Sequence, residues 1–264
     1  MKSSNLGAGK LAVASLFGLI IGFVAGLIGV GGGEFRLPVL VGLLGLSVPA
    51  AAGVNLVIGL VTVIAALLTR TLASVPSSII FILAAMSLGS IAGAYFGAHL
   101  TKKIDEKYLK RFLIVFLVIM GLKLVTEPFL HFEFYLSPAF PLDIVLSTVF
   151  GALIGVVSGA LGVAGGEMRI PTLMYAFSLP IKMAGTASLL VSIPTILAGA
   201  FKHNRMGHIE KDGWMVALAM GAPSVVGAFV GGKLHAYVGD ETLKMVLGII
   251  LLLATVRMIY PSSE

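Results

Sequence analysis

The chain alternates long apolar runs with short polar connections from one end to the other. Apolar runs of about 20 residues recur, which is the length of a helix that crosses ~30 Å of hydrocarbon. Hydrophobic residues make up 58 % of the chain and charged residues only 11 %, whereas soluble domains carry about 25 % charged residues. The pattern therefore predicts an all-α polytopic membrane protein and excludes a large soluble α/β core.

Two stretches of the chain carry the same polar motif. Residues 26–38 read GLIGVGGGEFRLP and residues 159–171 read GALGVAGGEMRIP, an offset of 133 with eight of thirteen positions identical. Transporters are commonly built from such internal repeats, with the substrate held between them. We therefore divide the chain into two homologous membrane repeats, residues 1–135 and 136–264, within a single transmembrane domain.

Each repeat is predicted to contain five membrane segments, A to E. Segment B has about 11 residues, which at 1.5 Å per residue cannot cross ~30 Å of hydrocarbon. It is expected to begin at Pro38 or Pro171, because proline suits the first turn of a helix. The chain then has about eight to ten membrane segments, depending on how the two short helices are counted. We expect the segments at about 11–31, 37–47, 49–69, 75–98 and 109–129, and at about 142–163, 170–180, 182–202, 213–234 and 241–259.

The distribution of basic residues favours an inverted relation between the repeats. If segment B crosses the membrane, each repeat crosses an odd number of times and the second repeat is inverted. With the N-terminus inside, twelve of the 18 Lys and Arg then lie inside and six outside, as the positive-inside rule requires. If segment B turns back, the split is eight to ten. The short basic start followed by an apolar run resembles a signal peptide, but without an A-x-A-like cleavage site we expect a retained first helix.

The glycine motif has the composition of an anion site. Irregular backbone at membrane depth is tolerated only where it is buried in protein or lines a wet cavity, and glycine lets a ligand approach the backbone closely. Successive N–H groups and the N-terminus of the next helix attract anions, and arginine adds a planar fork of donors. We expect a small-anion site with pseudo-two-fold symmetry near the bilayer midplane. Its candidate substrate-binding residues are Gly31, Gly32, Gly33 and Arg36 in the first copy and Gly165, Gly166 and Arg169 in the second.

Segment C supplies further polar groups. Asn55 and Ser188 occupy equivalent repeat positions, as do Gly59 and Ser192. Amides and hydroxyls donate hydrogen bonds without carrying a fixed charge. If they face the motif, Asn55, Ser188 and Ser192 complete the shell of the anion; the alternative is that the hydroxyls bond to their own backbone.

Glu34 and Glu167 need a separate account. Of the twelve acidic residues, they alone lie within the predicted membrane core. A carboxylate beside an anion site repels the anion unless it is protonated or paired with the arginine. Two roles stay open: a fixed ion pair with the neighbouring arginine, or a proton-coupling site.

Glycine in membrane helices also serves close helix packing. That interpretation accounts for glycines outside the motif but not for the E-x-R-x-P that follows the glycines twice. The glycines assigned to packing are Gly18, Gly22, Gly93, Gly97, Gly227 and Gly231.

Other features narrow the chemistry. Cysteine is absent, so no disulfide, thiolate metal site or cysteine nucleophile is possible. The five histidines are expected to be peripheral, at segment ends or in loops, and neither a metal nor another cofactor is expected. Without an H-E-x-x-H motif or a P-loop, the chain is predicted to be neither an enzyme nor an ATP-driven pump. The net charge of +6 comes mostly from short loops, which favours orientation in a membrane over nucleic-acid binding.

The twin motif G-x-G-G-G-x-x-x-x-P, present with one change in its second copy, resembles the sulfite exporter TauE/SafE family, also called the 4-toluene sulfonate uptake permease family. The resemblance covers nearly all of the 264 residues. It implies a multi-pass protein of the bacterial inner membrane that moves sulfite, sulfonates or related organosulfur anions. The one departure is Ala164, which stands where the first copy has Gly31. We expect it to make the second loop less permissive and the site less symmetric.

Together these features predict a secondary transporter that moves a small sulfur-containing anion by alternating access, with the substrate held between the two motifs. Its expected partners are that anion, membrane lipid and, if the glutamates titrate, protons. An anion channel of the same architecture is the alternative, because the same donors can line a pore. The sequence leaves open which anion is carried, the direction of flux and whether the chain forms a homo-oligomer.

Overall fold

The computed structural model describes residues 7–70, 75–100, 106–130, 136 and 138–259. Over these residues the chain is helical and contains no strand. Helix α2 continues as a π-helix over Val39–Leu43, and a 3-10 turn over Ser77–Ile79 precedes α4. The α-helices of the described part are α1 (Ala8–Ile28), α2 (Gly33–Pro38), α3 (Val48–Leu68), α4 (Ile80–Leu100), α5 (Glu106–Leu130), α6 (Leu142–Leu161), α7 (Gly166–Phe177), α8 (Ile181–Arg205), α9 (Lys211–Leu234) and α10 (Asp240–Ile259).

The predicted all-α membrane architecture is confirmed. Within the described residues, six helices are long and apolar enough to cross a membrane, namely α1, α3, α4, α6, α8 and α9. The helices after the two motifs are short, as predicted: α2 has 6 residues and its π-helical continuation 5, and α7 has 12. At 1.5 Å per residue neither reaches across ~30 Å of hydrocarbon. The chain is a multi-pass membrane protein with two half-length helices.

The short helices begin earlier than the sequence analysis predicted. They start at Gly33 and Gly166, not at Pro38 and Pro171. In each motif the arginine N–H donates to the carbonyl of the glycine that precedes the helix, at 3.3 and 3.0 Å. Each proline lies five positions into its helix, where its missing N–H leaves the carbonyl four residues earlier without a helical partner. The glutamate and arginine of each motif therefore belong to the first turns of a helix and not to the loop before it.

The six long helices form two bundles that mix the repeats. Helices α1, α3 and α9 pack together as the first bundle, and α4, α6 and α8 as the second. The bundles meet along α3 and α8, and α5 pairs with α10. When each helix is replaced by its equivalent in the other repeat, the contacts of the first bundle become those of the second. The α3–α8 and α5–α10 contacts are unchanged by this exchange. The repeat boundary between residues 135 and 136 stays a prediction, since the halves are interleaved in space.

The helices within each bundle approach one another backbone to backbone. On α1, Gly18 lies against Met220 and Gly26 against Ala228 of α9, so the two helices run parallel. The packing role predicted for six glycines outside the motif is confirmed, because an added Cβ at any of these six would collide with the facing helix. These contacts involve Gly18 and Gly22 against α9, Gly93 and Gly97 against α6, and Gly227 and Gly231 against α1.

The two helices that join the bundles run in opposite directions. Arg70, just beyond the end of α3, bonds to Thr186 near the start of α8. Gly53, near the start of α3, lies against His203 near the end of α8. Helices α3 and α8 are equivalent in the two repeats, and an antiparallel arrangement is what inverted repeats require. The inversion itself stays a prediction.

The pair of α5 and α10 holds one of the half-helices. Glu127 of α5 forms an ion pair of 2.8 Å with Lys244 of α10. The same carboxylate accepts a 2.6 Å hydrogen bond from the hydroxyl of Tyr175 on α7. A charge-assisted network of this kind is stronger than its neutral equivalent. It anchors the C-terminal end of α7, whose first turn carries the second glycine motif.

We predict that Gly22→Ala destabilises the protein. A Cβ at this position would collide with the backbone of Ser224, and overpacking of this kind costs about 1–3 kcal/mol. The melting temperature of the detergent-purified protein measures the effect. Gly9→Ala is the matched control on the same helix, because its Cβ would meet nothing within 4 Å and alanine favours helix. Equal losses in both variants would contradict the packing role.

Candidate functional site

The two glycine motifs meet between the two bundles. A Cβ added at Gly31 would collide with the Cβ of Ala164, and one added at Gly166 would lie 2.9 Å from the Cα of Val30. Each half-helix therefore begins beside the loop of the other repeat. The meeting point is reached by both half-helix N-termini, which carry a partial positive charge and unpaired N–H groups.

The loops turn on glycines in the left-handed region, which other residues rarely adopt. Both copies use the same two positions, so backbone conformation explains these two glycines of each motif. Gly33 and Gly166 are instead close-packed, because an added Cβ would lie 3.0 Å from the Cα of Val163 and 2.9 Å from the Cα of Val30. Gly31 and Ala164 lie outside that region, so the difference between the two copies does not involve a left-handed position. The expectation that Ala164 makes its loop less permissive stays a prediction. The left-handed positions are Gly29 (φ 102°), Gly32 (67°), Gly162 (70°) and Gly165 (76°).

The guanidinium of Arg36 is buried, with 0 % of the residue exposed. Its Nε donates to Asn55 Oδ1 at 2.9 Å and its Nη2 to the carbonyl of Gly31 at 2.5 Å. Asn55 in turn donates through Nδ2 to the carbonyls of Gly33 at 2.9 Å and Gly162 at 2.8 Å. Asn55 therefore ties both motifs together, and Arg36 Nη1 is left without a partner.

The second arginine makes the equivalent contacts with different residues. Arg169 Nη1 donates to Ser192 Oγ at 2.6 Å and to the carbonyls of Ala164 at 3.3 Å and Ser188 at 3.5 Å. Its Nη2 reaches Thr195 Oγ1 at 3.5 Å. Arg169 Nε and Ser188 Oγ have no hydrogen-bond partner although both are buried.

The two glutamates face each other and do not pair with the arginines. Among the described residues, no lysine or arginine forms a salt bridge with the carboxyl oxygens of Glu34 or Glu167, and no arginine donates a hydrogen bond to them. The two carboxyl groups lie close enough to interact with one another. The fixed glutamate–arginine pair, one of the two roles left open by the sequence, is therefore not formed here.

The candidate binding residues lie together in space. Both arginines, the three polar residues of α3 and α8 and the motif glycines surround the meeting point. Gly32 and Gly165 each lie beside the arginine of their own motif, with an added Cβ 3.5 Å from a guanidinium nitrogen. Their role in binding an anion stays a prediction.

A second pair of polar positions escaped the sequence analysis. Arg70 and His203 are related by the repeat offset of 133. Arg70 Nη2 donates to the carbonyl of Gly26 at 2.7 Å, and His203 Nε2 bonds to the carbonyl of Gly159 at 3.0 Å. Both side chains thus satisfy carbonyls left unpaired where α1 and α6 end at the motifs. Aligning the two repeats beyond the motif would have exposed this equivalence.

The prediction that all histidines are peripheral is wrong for two of them. His203 is 0 % exposed and His235 is 7 % exposed, while His99 is exposed as predicted and His131 lies outside the described residues. Arg70 Nη1 donates to His235 Nε2 at 3.0 Å, so the Nδ1 proton of the imidazole goes to the carbonyl of Leu27 at 2.7 Å. Burial and the charge of Arg70 lower the pKa of His235 to about 4, which keeps it neutral at physiological pH.

We predict that Gly31→Ala destabilises the protein and that adding Ala164→Gly restores it. The two Cβ positions overlap in space, so one methyl group fits and two do not. Ala164→Gly alone should cost little, since neither position needs the left-handed region. Thermal melting of the four proteins tests the coupling. Additive losses in the double variant would show that the two positions do not compete for one space.

Comparison with known proteins agrees with this architecture. The family model described as sulfite exporter TauE/SafE matches residues 2–124 and 147–264. The probable membrane transporter protein YunE of Bacillus subtilis is 25 % identical over 289 residues, covering 95 % of this chain and 98 % of the relative.

Two further relatives carry names of the same kind. The probable membrane transporter protein YjnA of Bacillus subtilis is 29 % identical, covering 92 % of this chain and 98 % of its own length. A probable membrane transporter protein of Methanocaldococcus jannaschii is 25 % identical, covering 91 % and 92 %. No solved structure matches the chain. With the family model matching both repeats, the chain belongs to the sulfite exporter TauE/SafE family of membrane transporters.

Proposed function

We propose that the protein is a secondary transporter that binds a small sulfur oxyanion where the two motifs meet. The observation that supports this best is the set of buried donors without partners at that point: Arg36 Nη1, Arg169 Nε and Ser188 Oγ. A buried donor without a partner costs free energy. A ligand with several acceptor oxygens removes that cost, and sulfite and sulfonates are ligands of this kind.

The charges at the meeting point suggest how such an anion is coupled. Two arginines and the carboxyl oxygens of two glutamates are buried there, and the carboxyl groups have each other as neighbours. Two adjacent carboxylates repel one another, and an incoming anion adds to the repulsion. A proton taken up by Glu34 or Glu167 relieves both, so the anion and a proton are proposed to bind together.

Alternating access fits the architecture better than a permanently open channel. The two bundles are related by exchange of the repeats and meet along one pair of helices, α3 and α8. Within a bundle, glycine contacts bring whole helices backbone to backbone, so each bundle is suited to move as a unit. Rocking one repeat-related unit against another around a central site is how many secondary transporters work.

The first experiment measures binding by thermal shift. Sulfite, sulfate, thiosulfate, taurine, sulfoacetate and aromatic sulfonates are screened at matched ionic strength, because a ligand of the folded state raises the melting temperature. Ser188→Ala removes a donor that has no internal partner, so we expect the fold to be retained. Losing one hydrogen bond to a charged ligand costs about 1.5–3 kcal/mol, so the affinity should fall about 10–100-fold.

Ser147→Ala is the matched control, because this buried serine of α6 bonds only to its own helix backbone. Arg36→Lys and Arg169→Lys keep the charge but lose the fork that also holds the loop carbonyls, so both should lose binding. Stabilisation by cations or neutral solutes alone, or full affinity in Ser188→Ala, would contradict the proposed site.

The second experiment tests proton coupling in proteoliposomes. An imposed pH gradient should drive uphill anion flux in the wild type, whereas Glu34→Gln and Glu167→Gln should bind the anion without responding to the gradient. Glutamine keeps the shape of the side chain but cannot release a proton. Wild-type flux that ignores the gradient would remove the coupling role. Flux that never saturates and never runs uphill would favour the channel.

A further inference from the structure

Two equivalent contacts join the bundles on either side of the meeting point. At the first, Arg70 donates to Thr186 of α8 at 3.3 Å, and a Cβ added at Gly29 would lie 2.5 Å from the carbonyl oxygen of Gly185. We name this set of four residues the first clasp.

The second clasp consists of His203, Gly53, Gly162 and Ala52. A Cβ added at Gly53 would lie 3.4 Å from the Cβ of His203, and one added at Gly162 would collide with Ala52. The members of the two clasps correspond through the repeat offset of 133: Arg70 with His203, Thr186 with Gly53, Gly29 with Gly162, and Gly185 with Ala52.

The clasps lie at opposite ends of the α3–α8 interface. These helices are antiparallel, so the end of α3 and the start of α8 form one clasp, and the start of α3 and the end of α8 form the other. Between the clasps lie the polar residues that contact the two arginines: Asn55 of α3, and Ser192 and Thr195 of α8. A path from either side of the membrane to the meeting point along this interface has to pass a clasp.

We propose that the two clasps are the gates of transport and that they open alternately. The proposal rests on the transport function proposed above. Both clasps are closed in this structure, which therefore corresponds to an occluded arrangement. The first clasp can open at little cost: Arg70 makes one hydrogen bond of 3.3 Å to the second bundle, while its remaining bonds stay within the first. Breaking that single bond leaves Arg70 attached to its own bundle.

The clasps differ in chemistry although their positions are equivalent. The first carries the guanidinium of Arg70, and beside it Lys182 of α8 donates to the carbonyl of Ala236 beyond α9 at 3.2 Å. The second carries the imidazole of His203, which also bonds to Nδ1 of His208 at 2.9 Å. Because the clasps lie at opposite ends of the α3–α8 interface, removing Arg70 and removing His203 should favour opposite states of one equilibrium.

Cysteine accessibility tests the gates, and the chain has no native cysteine to interfere. Ser188→Cys is the reporter, because Ser188 is 0 % exposed and lies about one turn beyond Gly185, between the first clasp and the meeting point. A membrane-impermeant maleimide is applied to each face of oriented vesicles. In this background, Arg70→Ala should raise the labelling rate from one face about tenfold, the factor for losing one hydrogen bond.

Three further variants make the outcome decisive. Thr186→Val removes the acceptor across the bundles, together with one hydrogen bond of 3.0 Å to the carbonyl of Lys182 within its own helix. It leaves the other bonds of Arg70 in place, so it should raise labelling from the same face even if Arg70→Ala fails to fold. His203→Ala opens the other end and should lower labelling from that face or leave it unchanged. Arg205→Ala, an exposed basic residue at the end of α8, is the control and should have no effect.

The outcomes test the gate proposal independently of the proposed substrate. If Arg70→Ala, Thr186→Val and His203→Ala all raise labelling from the same face, the clasps only stabilise the fold and the gate proposal is overturned. If neither Arg70→Ala nor Thr186→Val changes labelling, it is overturned as well. These measurements need no substrate, so opposite effects of the two clasps would stand even if no sulfur anion binds, and that result would count against the proposed substrate alone.

Discussion

A helix that breaks inside a membrane must find partners for the backbone groups it frees, because lipid offers none. In this protein α1 and α6 both break, and a half-helix begins a few residues later in each repeat. Buried basic side chains donate hydrogen bonds to these backbone carbonyls. Arg70 and His203 take the carbonyls at the broken ends, and Arg36 and Arg169 take those of the loops. Much of the charge that looks functional in the sequence therefore maintains the backbone.

The buried polar atoms that do not bond to the backbone are available for function. After the loop carbonyls are satisfied, Arg36 and Arg169 each keep one nitrogen without a partner. The carboxyl groups of Glu34 and Glu167 lie near each other and form no ion pair with a described residue. The proposed site would consist of these remaining groups, which are held in place by the same hydrogen bonds that stabilise the fold. Large changes at the arginines are therefore expected to disturb the fold together with the proposed binding, whereas Ser188, whose hydroxyl has no partner in the fold, is expected to affect the proposed binding alone.

The apolar pattern predicted the helices well because burial in lipid leaves few alternatives to a continuous helix. The half-helix starts were predicted wrongly, since proline looked like a first-turn residue while the left-handed Gly32 and Gly165 set the start. The interleaved bundles have no local signal, because α1 packs against a helix about 200 residues away in sequence. His203 was missed because a histidine near a loop resembles a surface residue, and only its equivalence to Arg70 shows otherwise.

The contact between Gly31 and Ala164 bears on how such a chain can arise. Two identical half-chains assembled antiparallel would place the same residue on both sides of the axis, and the space there holds one methyl group. A homodimer of half-length ancestors could therefore carry only glycine at this position. Fusion of the halves into one polypeptide lifts that restriction, because one side can change while the other does not. Ala164 is a substitution that a symmetric homodimer of half-chains would not tolerate.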